Sequence, residues 1–472
     1  MATTLTGMTA KAAFDLIKAL QIGGKDRRDR YDMHTKFYEG GQTCAEFLRR
    51  HKKESDEAFK ERQARFASLN YTGALSDQII DGVYGEPWER RIVADKAQEA
   101  TWEDISKKNR LNVQQTTWGW FQVVLGDAFV RVWYDDVDGL LRIQPVHPKN
   151  IDVLLSDRDP LQPELLIETQ EFDYTDMQPV ARTEYLVWTA DEMAKLGFVG
   201  TSKSPVWIEE PAPNPYEVIP YPHWRGRTTT NDFWGVSAIR DVVTMQRMVH
   251  NRTSMLDRVI LMQTHGQLVV ISAEHQKITS GEDSFLGLTP TEQGTDAKYI
   301  QPGAKIQEVQ GSIENLIDRI FEVGRVPVSA VKGGSANSGF QLVMEFRPMI
   351  QMVNRYKMQA VVAEEDLLMI VGRVGSTHDV ALPFDVGEVE VSSPANFLPV
   401  DHDAEFLRDL RLYQSELMLR EDFVDKWIGK GQWTEKELRE YLAKLDKEFG
   451  SETEDGEGAD GEGEGESILE TL

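Results

Sequence analysis

The spacing of apolar residues changes character along the chain, and the changes mark its parts. Over residues 1–70 the spacing is helical. Ala12, Phe14, Leu16, Ile17 and Leu20 form a stripe that ends at Gly23-Gly24, and Arg28, Tyr31, Phe37 and Tyr38 lie on a second segment closed by Glu39-Gly40. A third, charged helix is predicted from Thr43 to Phe66. Its apolar residues Phe47, Phe59 and Phe66 are too sparse for deep burial, which places it on a surface or at an interface. From Trp118 the period shifts towards two. Strands are predicted at Trp120–Leu125 and Ala128–Tyr134 around Gly126-Asp127, with Asp135–Gly139 as a hairpin turn. Further strands are predicted at Leu140–Val146, Ile151–Leu155, Glu164–Thr169 and Glu184–Thr189, and the proline-rich stretch Pro205–Pro222 reads as extended loop.

The stretch from Trp234 to Gly375 organises the rest. Ser237 is an N-cap residue for a helix over Ala238–Leu261, apolar at Ile239, Val242, Val243, Val249, Leu256, Val259 and Ile260. Its other face carries Arg240, Arg247, Asn251 and Arg258. Short strands are predicted at Gln267–Ile271, Lys298–Ile300 and Lys305–Val309, the last two flanking the turn signal Pro302-Gly303, so Met262–Gly311 forms a small β-containing insert. A second helix is predicted from Ser312, with Ile313, Leu316, Ile317 and Ile320 at helical spacing, and stops before Pro327. Lys332–Ser338 is a glycine-containing loop. Ser338-Gly339-Phe340-Gln341 fits a capping box that opens a very long helix to Val371, with Pro348 inside it. Val380–Val391 returns to strand. Asp401–Phe449 is a helical module, with a capping box at Thr434–Glu437, and Gly450–Leu472 is Glu/Gly low complexity predicted to be disordered.

At 472 residues the chain has the length of about three domains. The net charge is −26; the last 23 residues hold nine carboxylates and no lysine or arginine, so the body alone carries −17. Such a body is unsuited to gripping nucleic acid by phosphate neutralisation, although it can let nucleic acid pass. The single cysteine, Cys44, excludes a disulfide within the chain. No apolar run reaches the ~18–20 residues that span a bilayer, and the N-terminus has no apolar signal core, so a soluble protein without a membrane partner is expected.

Candidate chemistry is thin. Gly333–Gly339 before a helix is a potential phosphate cradle, but Phe340-Gln341 follow where a nucleotide-binding loop needs Lys and then Ser or Thr. Asp135, Asp136 and Asp138 invite a divalent cation, yet the calcium-loop spacing is not met. The basic run Arg49–Lys53 could touch phosphate or simply be a solvated face. Glu364-Glu365-Asp366 reads as a solvated or inter-subunit face of the long helix. The histidines fall in no zinc spacing, and there is no nucleophile elbow. No catalytic constellation and no cofactor site emerge.

In their order and spacing, these motifs resemble the portal proteins of tailed bacteriophages, the group with Gp6-like portals. The resemblance rests on Tyr38–Gly40, Gly126-Asp127-Ala128 to Val132, Asp138-Gly139, Trp234-Gly235-Val236-Ser237, Val326-Pro327, Lys332-Gly333, Ser338-Gly339, Pro348 and Arg355. It implies an α+β portal-type fold in a ring, usually of twelve subunits, at one capsid vertex of the virion, assembled in the host cytoplasm. Residues 1–236 would be the wing, 237–261 and 312–327 the stem helices, 262–311 the clip, and 401–449 a helical crown. Residues 328–400 would hold the tunnel loop, tunnel helix and wing strands, and 450–472 is an acidic tail outside the pattern. Double-stranded DNA would pass through the channel during packaging and ejection. A separate terminase large subunit would hydrolyse ATP, and the major capsid or scaffolding protein and a head–tail adaptor would dock. The tunnel loop would contain Lys332, Gly333, Gly334, Ser335, Ala336 and Asn337, and Arg240 and Arg247 are candidates for basic rings in an otherwise electronegative channel. Two other readings remain open at this point: a metal-dependent hydrolase using Asp135, Asp136 and Asp138, and a non-viral structural ring.

Overall fold

The structure, a computed structural model, describes residues 4–92, 96–172, 182–198, 204–228, 232–264, 267–271, 296–300, 306–328, 339–378, 380, 389–394, 402–415, 417–428 and 435–449. Residues 1–397 form one compact unit and residues 398–472 a second.

The first unit opens with helices α1 (Ala10–Gly23) and α2 (Lys25–Glu39), as the apolar stripes predict. The single helix expected over Thr43–Phe66 is absent. A short 3-10 turn at Gly41–Phe47 is followed by extended chain, and helix α3 is confined to Asp56–Ala64. Ser55 restarts the helix: its hydroxyl accepts from the Ala58 N–H at 3.2 Å. Helix α3 lies at the surface as expected, with Arg62 its one buried residue, although Glu54 and Phe66 beside it are buried. Helices α4 (Tyr71–Tyr84), α5 (Lys96–Asn109) and α6 (Leu111–Trp120) follow, with β1 (Glu89–Ile92) between the first two.

Trp120–Leu125 is not a strand. Helix α6 continues into a wide π-type turn, Phe121–Leu125, whose five residues are all buried. A short continuous apolar run does not distinguish a buried strand from a buried helical turn. Gly126, at φ 101°, ends the turn and starts β2 (Asp127–Asp135). Strand β2 pairs with β3 (Leu140–Val146) through the predicted Asp-Gly hairpin, and with β9 (His223–Arg225) on its other side.

The remaining strands β4 (Ile151–Leu155), β5 (Pro163–Phe172), β6 (Arg182–Trp188), β7 (Glu192–Gly197) and β8 (Val206–Pro213) form an antiparallel meander in chain order. Strand β8 corrects the reading of Pro205–Pro222 as loop. Proline cannot donate to a ladder, but β8 lies at the sheet edge, where Pro211 and Pro213 leave no inner ladder bond unmade. The meander is buried on both faces. Leu165 and Ile167 pack with Ala13 and Ile17 of α1, whereas Leu166 packs with Phe129 and Tyr221. Successive side chains of a strand point to opposite faces, which is why three adjacent residues join two cores.

Helix α7 (Arg240–Thr264) and helix α8 (Ile306–Gly324) pack together, and β10 (Gln267–Ile271) pairs antiparallel with β11 (Asp296–Ile300) between them. Ile306–Val309 is helix, not strand: α8 begins at Ile306, not at Ser312. Helix α8 runs through Gly311. A glycine inside a helix costs about 1 kcal/mol, too little to break one with this amphipathic stripe. Helix α9 (Gly339–Thr377) is 39 residues long, about 58 Å, and runs through Pro348. Of the strand expected over Val380–Val391, β12 (Val389–Ser392) is described, and it pairs with β1.

The second unit contains helices α10 (His402–Gln414), α11 (Arg420–Trp427) and α12 (Glu435–Phe449). Asp409 of α10 accepts from Lys426 Nζ at 2.6 Å and Trp427 Nε1 at 3.3 Å, and the Phe406 ring meets that of Trp427 edge-on. Thr434, which would cap α12, lies outside the described residues, as do the loop Lys332–Ser338 and the acidic tail.

Candidate functional site

Two motifs separated by more than a hundred residues meet where α7 begins. Gly126-Asp127 leaves the π-type turn, and Trp234-Gly235-Val236-Ser237 leads into α7. Asp127 is 1% exposed and is held by three donors: Tyr31 Oη at 2.6 Å, His223 Nε2 at 2.9 Å and the Gly235 N–H at 2.7 Å. Burial holds the His223 imidazole below its ordinary range despite the aspartate beside it, so the ring is neutral and donates its Nε2–H. Burial, followed by the charge of Asp127, pushes the Tyr31 phenol well above its ordinary value, so it stays a donor.

The backbone completes the joint. Gly226 N–H donates to Gly126 O at 2.7 Å, Ala238 N–H to Val123 O at 2.9 Å and Ser237 Oγ to Val124 O at 2.6 Å. The Ser237 hydroxyl also accepts from the Ile239 N–H at 3.2 Å; α7 begins at Arg240, so Ser237 braces the turn that leads into the helix and is not the N-cap its position predicts. Gly235 is required by space, since a Cβ there would lie 2.1 Å from Gly126 O. Arg27 clamps the same region, donating to Pro148 O, Ile151 O and Asp152 while its guanidinium lies 3.6 Å over the Trp234 ring.

Along α7 the polar face is largely engaged inside the chain. Buried Glu54 joins Arg62 of α3, at 2.9 Å, to Arg258 of α7, at 2.6 Å, and Arg62 also donates to Ser254 Oγ. The Arg62 pairing holds the Glu54 carboxyl down at about 2. Asn251 accepts from the Arg49 N–H at 2.7 Å, and Arg252 donates to Ser312 Oγ of α8 at 2.6 Å. Beyond Ser254, the α7 residues 255–261 are only partly covered or exposed, including Leu256, Val259 and Ile260.

The other sequence-predicted residues are placed as follows. Arg240 is exposed at the first turn of α7 beside Asp241, and Arg247 is half-buried on the same helix. Asp135 and Asp138 both face Arg142 across the hairpin. Among the described residues no group of three or more His, Cys, Asp or Glu could hold a metal ion. Side chains of Arg49–Lys53 are exposed, and Arg50 pairs with Asp56. Glu364 overturns its reading as a solvated or inter-subunit residue. It is fully buried and pairs with Arg90 of β1 through two bonds, at 2.7 and 2.9 Å. Its helix position gave no signal of this, because the partner is supplied by a strand far away in sequence. Lys332, Gly333, Gly334, Ser335, Ala336 and Asn337 lie outside the described residues.

No helix among the described residues is long and apolar enough to cross a membrane. No curated protein matches the chain. Among solved structures, it is similar to a chain from the neck of an empty GTA particle, at 13% identity and a TM-score of 0.42, over 75% of this chain and 90% of that one. The family model described as phage portal protein, SPP1 Gp6-like, matches residues 17–360, from α1 through the α7–α8 pair and into α9, and the chain belongs to that phage portal family.

Proposed function

We propose that this portal protein assembles as a ring, of twelve copies, that forms the DNA channel at one capsid vertex. In this reading α7 and α8 are the stem, the segment between them the clip, α9 the tunnel helix and Lys332–Asn337 the tunnel loop. The terminase large subunit and a head–tail adaptor dock on the ring, and the major capsid or scaffolding protein surrounds it. The observation that carries the proposal is the family match over residues 17–360, which includes the whole stem pair and its anchorage at Asp127 and Gly235. The partly covered apolar residues of α7 beyond Ser254 support a ring, because a neighbouring copy can bury what one chain leaves open. The net charge of −26 supports transit of DNA over tight binding, with Lys332, Arg240 and Arg247 as candidate weak phosphate contacts.

Packaging of DNA into proheads in vitro tests this reading. Lys332→Glu, and deletion of residues 333–337, are expected to leave the ring intact and to reduce the length of DNA packaged or retained. Normal packaging by both variants, in rings of unchanged size, would remove the loop from the mechanism.

A further inference from the structure

The basic run Arg49–Lys53 has no task in the portal reading, yet the fold pins its backbone to α7. The Arg49 N–H donates to Asn251 Oδ1 at 2.7 Å. Buried Arg62 donates to the Arg49 carbonyl at 2.8 Å while pairing with Glu54 and bonding Ser254 of α7. Glu54 in turn accepts from the His51 N–H at 3.1 Å. The side chains are left outside. Arg49, Arg50, His51, Lys52 and Lys53 are all exposed, and of the four arginines and lysines only Arg50 has an ion pair among the described residues, with Asp56. Over residues 49–65, seven lysines and arginines stand against four carboxylates, in a chain of net charge −26. A backbone already fixed loses little freedom when a partner arrives.

The complementary surface lies on the helix packed beside α7. Arg252 of α7 donates to Ser312 Oγ of α8 at 2.6 Å, which sets Ser312 level with the part of α7 that holds the basic loop, Asn251 to Arg258. At about 100° per residue, Arg252 lies roughly a third of a turn from Asn251, Ser254 and Arg258, so the loop and α8 occupy different flanks of α7. On α8, Ile313, Ile317, Ile320 and Phe321 are buried, whereas Glu308, Glu314, Asp318 and Glu322 are exposed. Those four carboxylates stand against the single arginine of the helix, Arg319. Glu314, Asp318 and Glu322 follow one another four residues apart, a like-charge row that weakens a helix left by itself. At one level, then, the helix pair is basic on its α7 flank and acidic on its α8 flank. We infer that in the ring the Arg49–Lys53 loop of one copy docks on the Glu314–Asp318 face of α8 in the next. A contact of one flank against the other is the kind that closes a ring, and opposite charges fix its register and orientation. The pairing rests on the ring reading and deepens it by naming the two surfaces that meet.

Charge reversal, read by sedimentation velocity of the full chain at moderate salt, tests the contact. Arg49→Glu with Lys52→Glu and Lys53→Glu turns the loop acidic. Glu314→Lys with Asp318→Lys turns the α8 face basic. All five positions are exposed, so neither set disturbs the core. Each set alone sets like charges against each other and should raise the concentration at which the large species half-forms by at least about tenfold. An equal mixture of the two variants should restore assembly, because each reversed loop then meets a reversed α8 and each native loop a native one. Both sets in one chain should restore it too, whatever the number of copies. Mixing cannot rescue misfolded chains, so rescue separates docking from folding. Assembly that persists unchanged in both variants, or a loss that neither mixing nor combination repairs, overturns the pairing and leaves the ring standing. A reversed loop that lowers affinity for duplex DNA but leaves assembly unchanged overturns it in favour of a phosphate contact. A wild-type chain that stays monomeric overturns the ring reading and the pairing with it.

Discussion

A methyl group on Gly235 would place its carbon 2.1 Å from the Gly126 carbonyl oxygen, and both are backbone positions that cannot swing aside. Gly235→Ala is therefore expected to destabilise the first unit by about 1–3 kcal/mol, the usual range for overpacking. Gly311 is the control. Nothing lies within 4 Å of a Cβ there, and it sits inside α8, so Gly311→Ala should stabilise by about 0.4–1 kcal/mol. Urea unfolding of the two variants side by side checks both signs. The buried histidines set a pH dependence at the same scale. Burial holds His34, His147 and His250 down at about 4, so they are neutral in the folded chain, while the unfolded chain takes up protons near 6.5. Their contribution to stability is complete above about pH 6.5 and is lost as the pH falls towards 4. Glu54 contributes in a lower window, with stability present above its ordinary 4.5 and lost as the pH falls towards about 2. Urea midpoints measured from pH 7.5 down to 5 should fall before Glu54 begins to titrate; a flat profile would contradict neutral burial of the three rings.

Among elements, α9 is tied to the start of the chain by one ion pair. Arg90 lies on β1, which pairs with β12, and its guanidinium meets the Glu364 carboxylate of α9 with both side chains nearly fully buried. Removing one partner leaves an uncompensated buried charge. Arg90→Ala or Glu364→Ala is expected to cost about 3–5 kcal/mol, and the double variant clearly less than the sum. A double-mutant cycle by denaturant unfolding measures this coupling, and additive losses would show that the pair does not act as a unit. A second tie joins α3 to α7 through Glu54, Arg62, Arg258 and Ser254. Both ties grip the long helices near other elements and leave apolar side chains elsewhere on them uncovered, such as Met358 at 62% and Val362 at 52% exposure on α9.

At the scale of the whole molecule, those uncovered positions argue for association. Monomeric proteins expose single apolar residues freely, but here they recur on α7, α8 and α9, at Ile260, Val323, Met344, Met358 and Val362. Sedimentation at moderate salt is expected to show a species many times the 53.6 kDa chain. Substituting Met358 and Val362 together by Glu should shift it towards the monomer without loss of helix content. A wild-type chain that sediments only as a monomer at high concentration would contradict ring assembly.

Much of this was legible in the sequence because it is local. Helical spacing marked α1, α2 and α7, alternation marked β2 to β6, and the Asp-Gly turn placed its hairpin, since each pattern follows from the geometry of one element. The ordered motifs that resemble portal proteins were equally readable, and the family match covers them. What tertiary structure decided were features whose cause lies across the chain. Phe121–Leu125 is a helical turn because α6 continues through it to Gly126, and Val206–Pro213 is a strand because a sheet edge tolerates its prolines. Glu364 is structural because Arg90 meets it inside the protein. Periodicity reports which face of an element is buried; the partner that covers it, and whether a buried charge is matched there, depends on contacts between residues far apart in sequence.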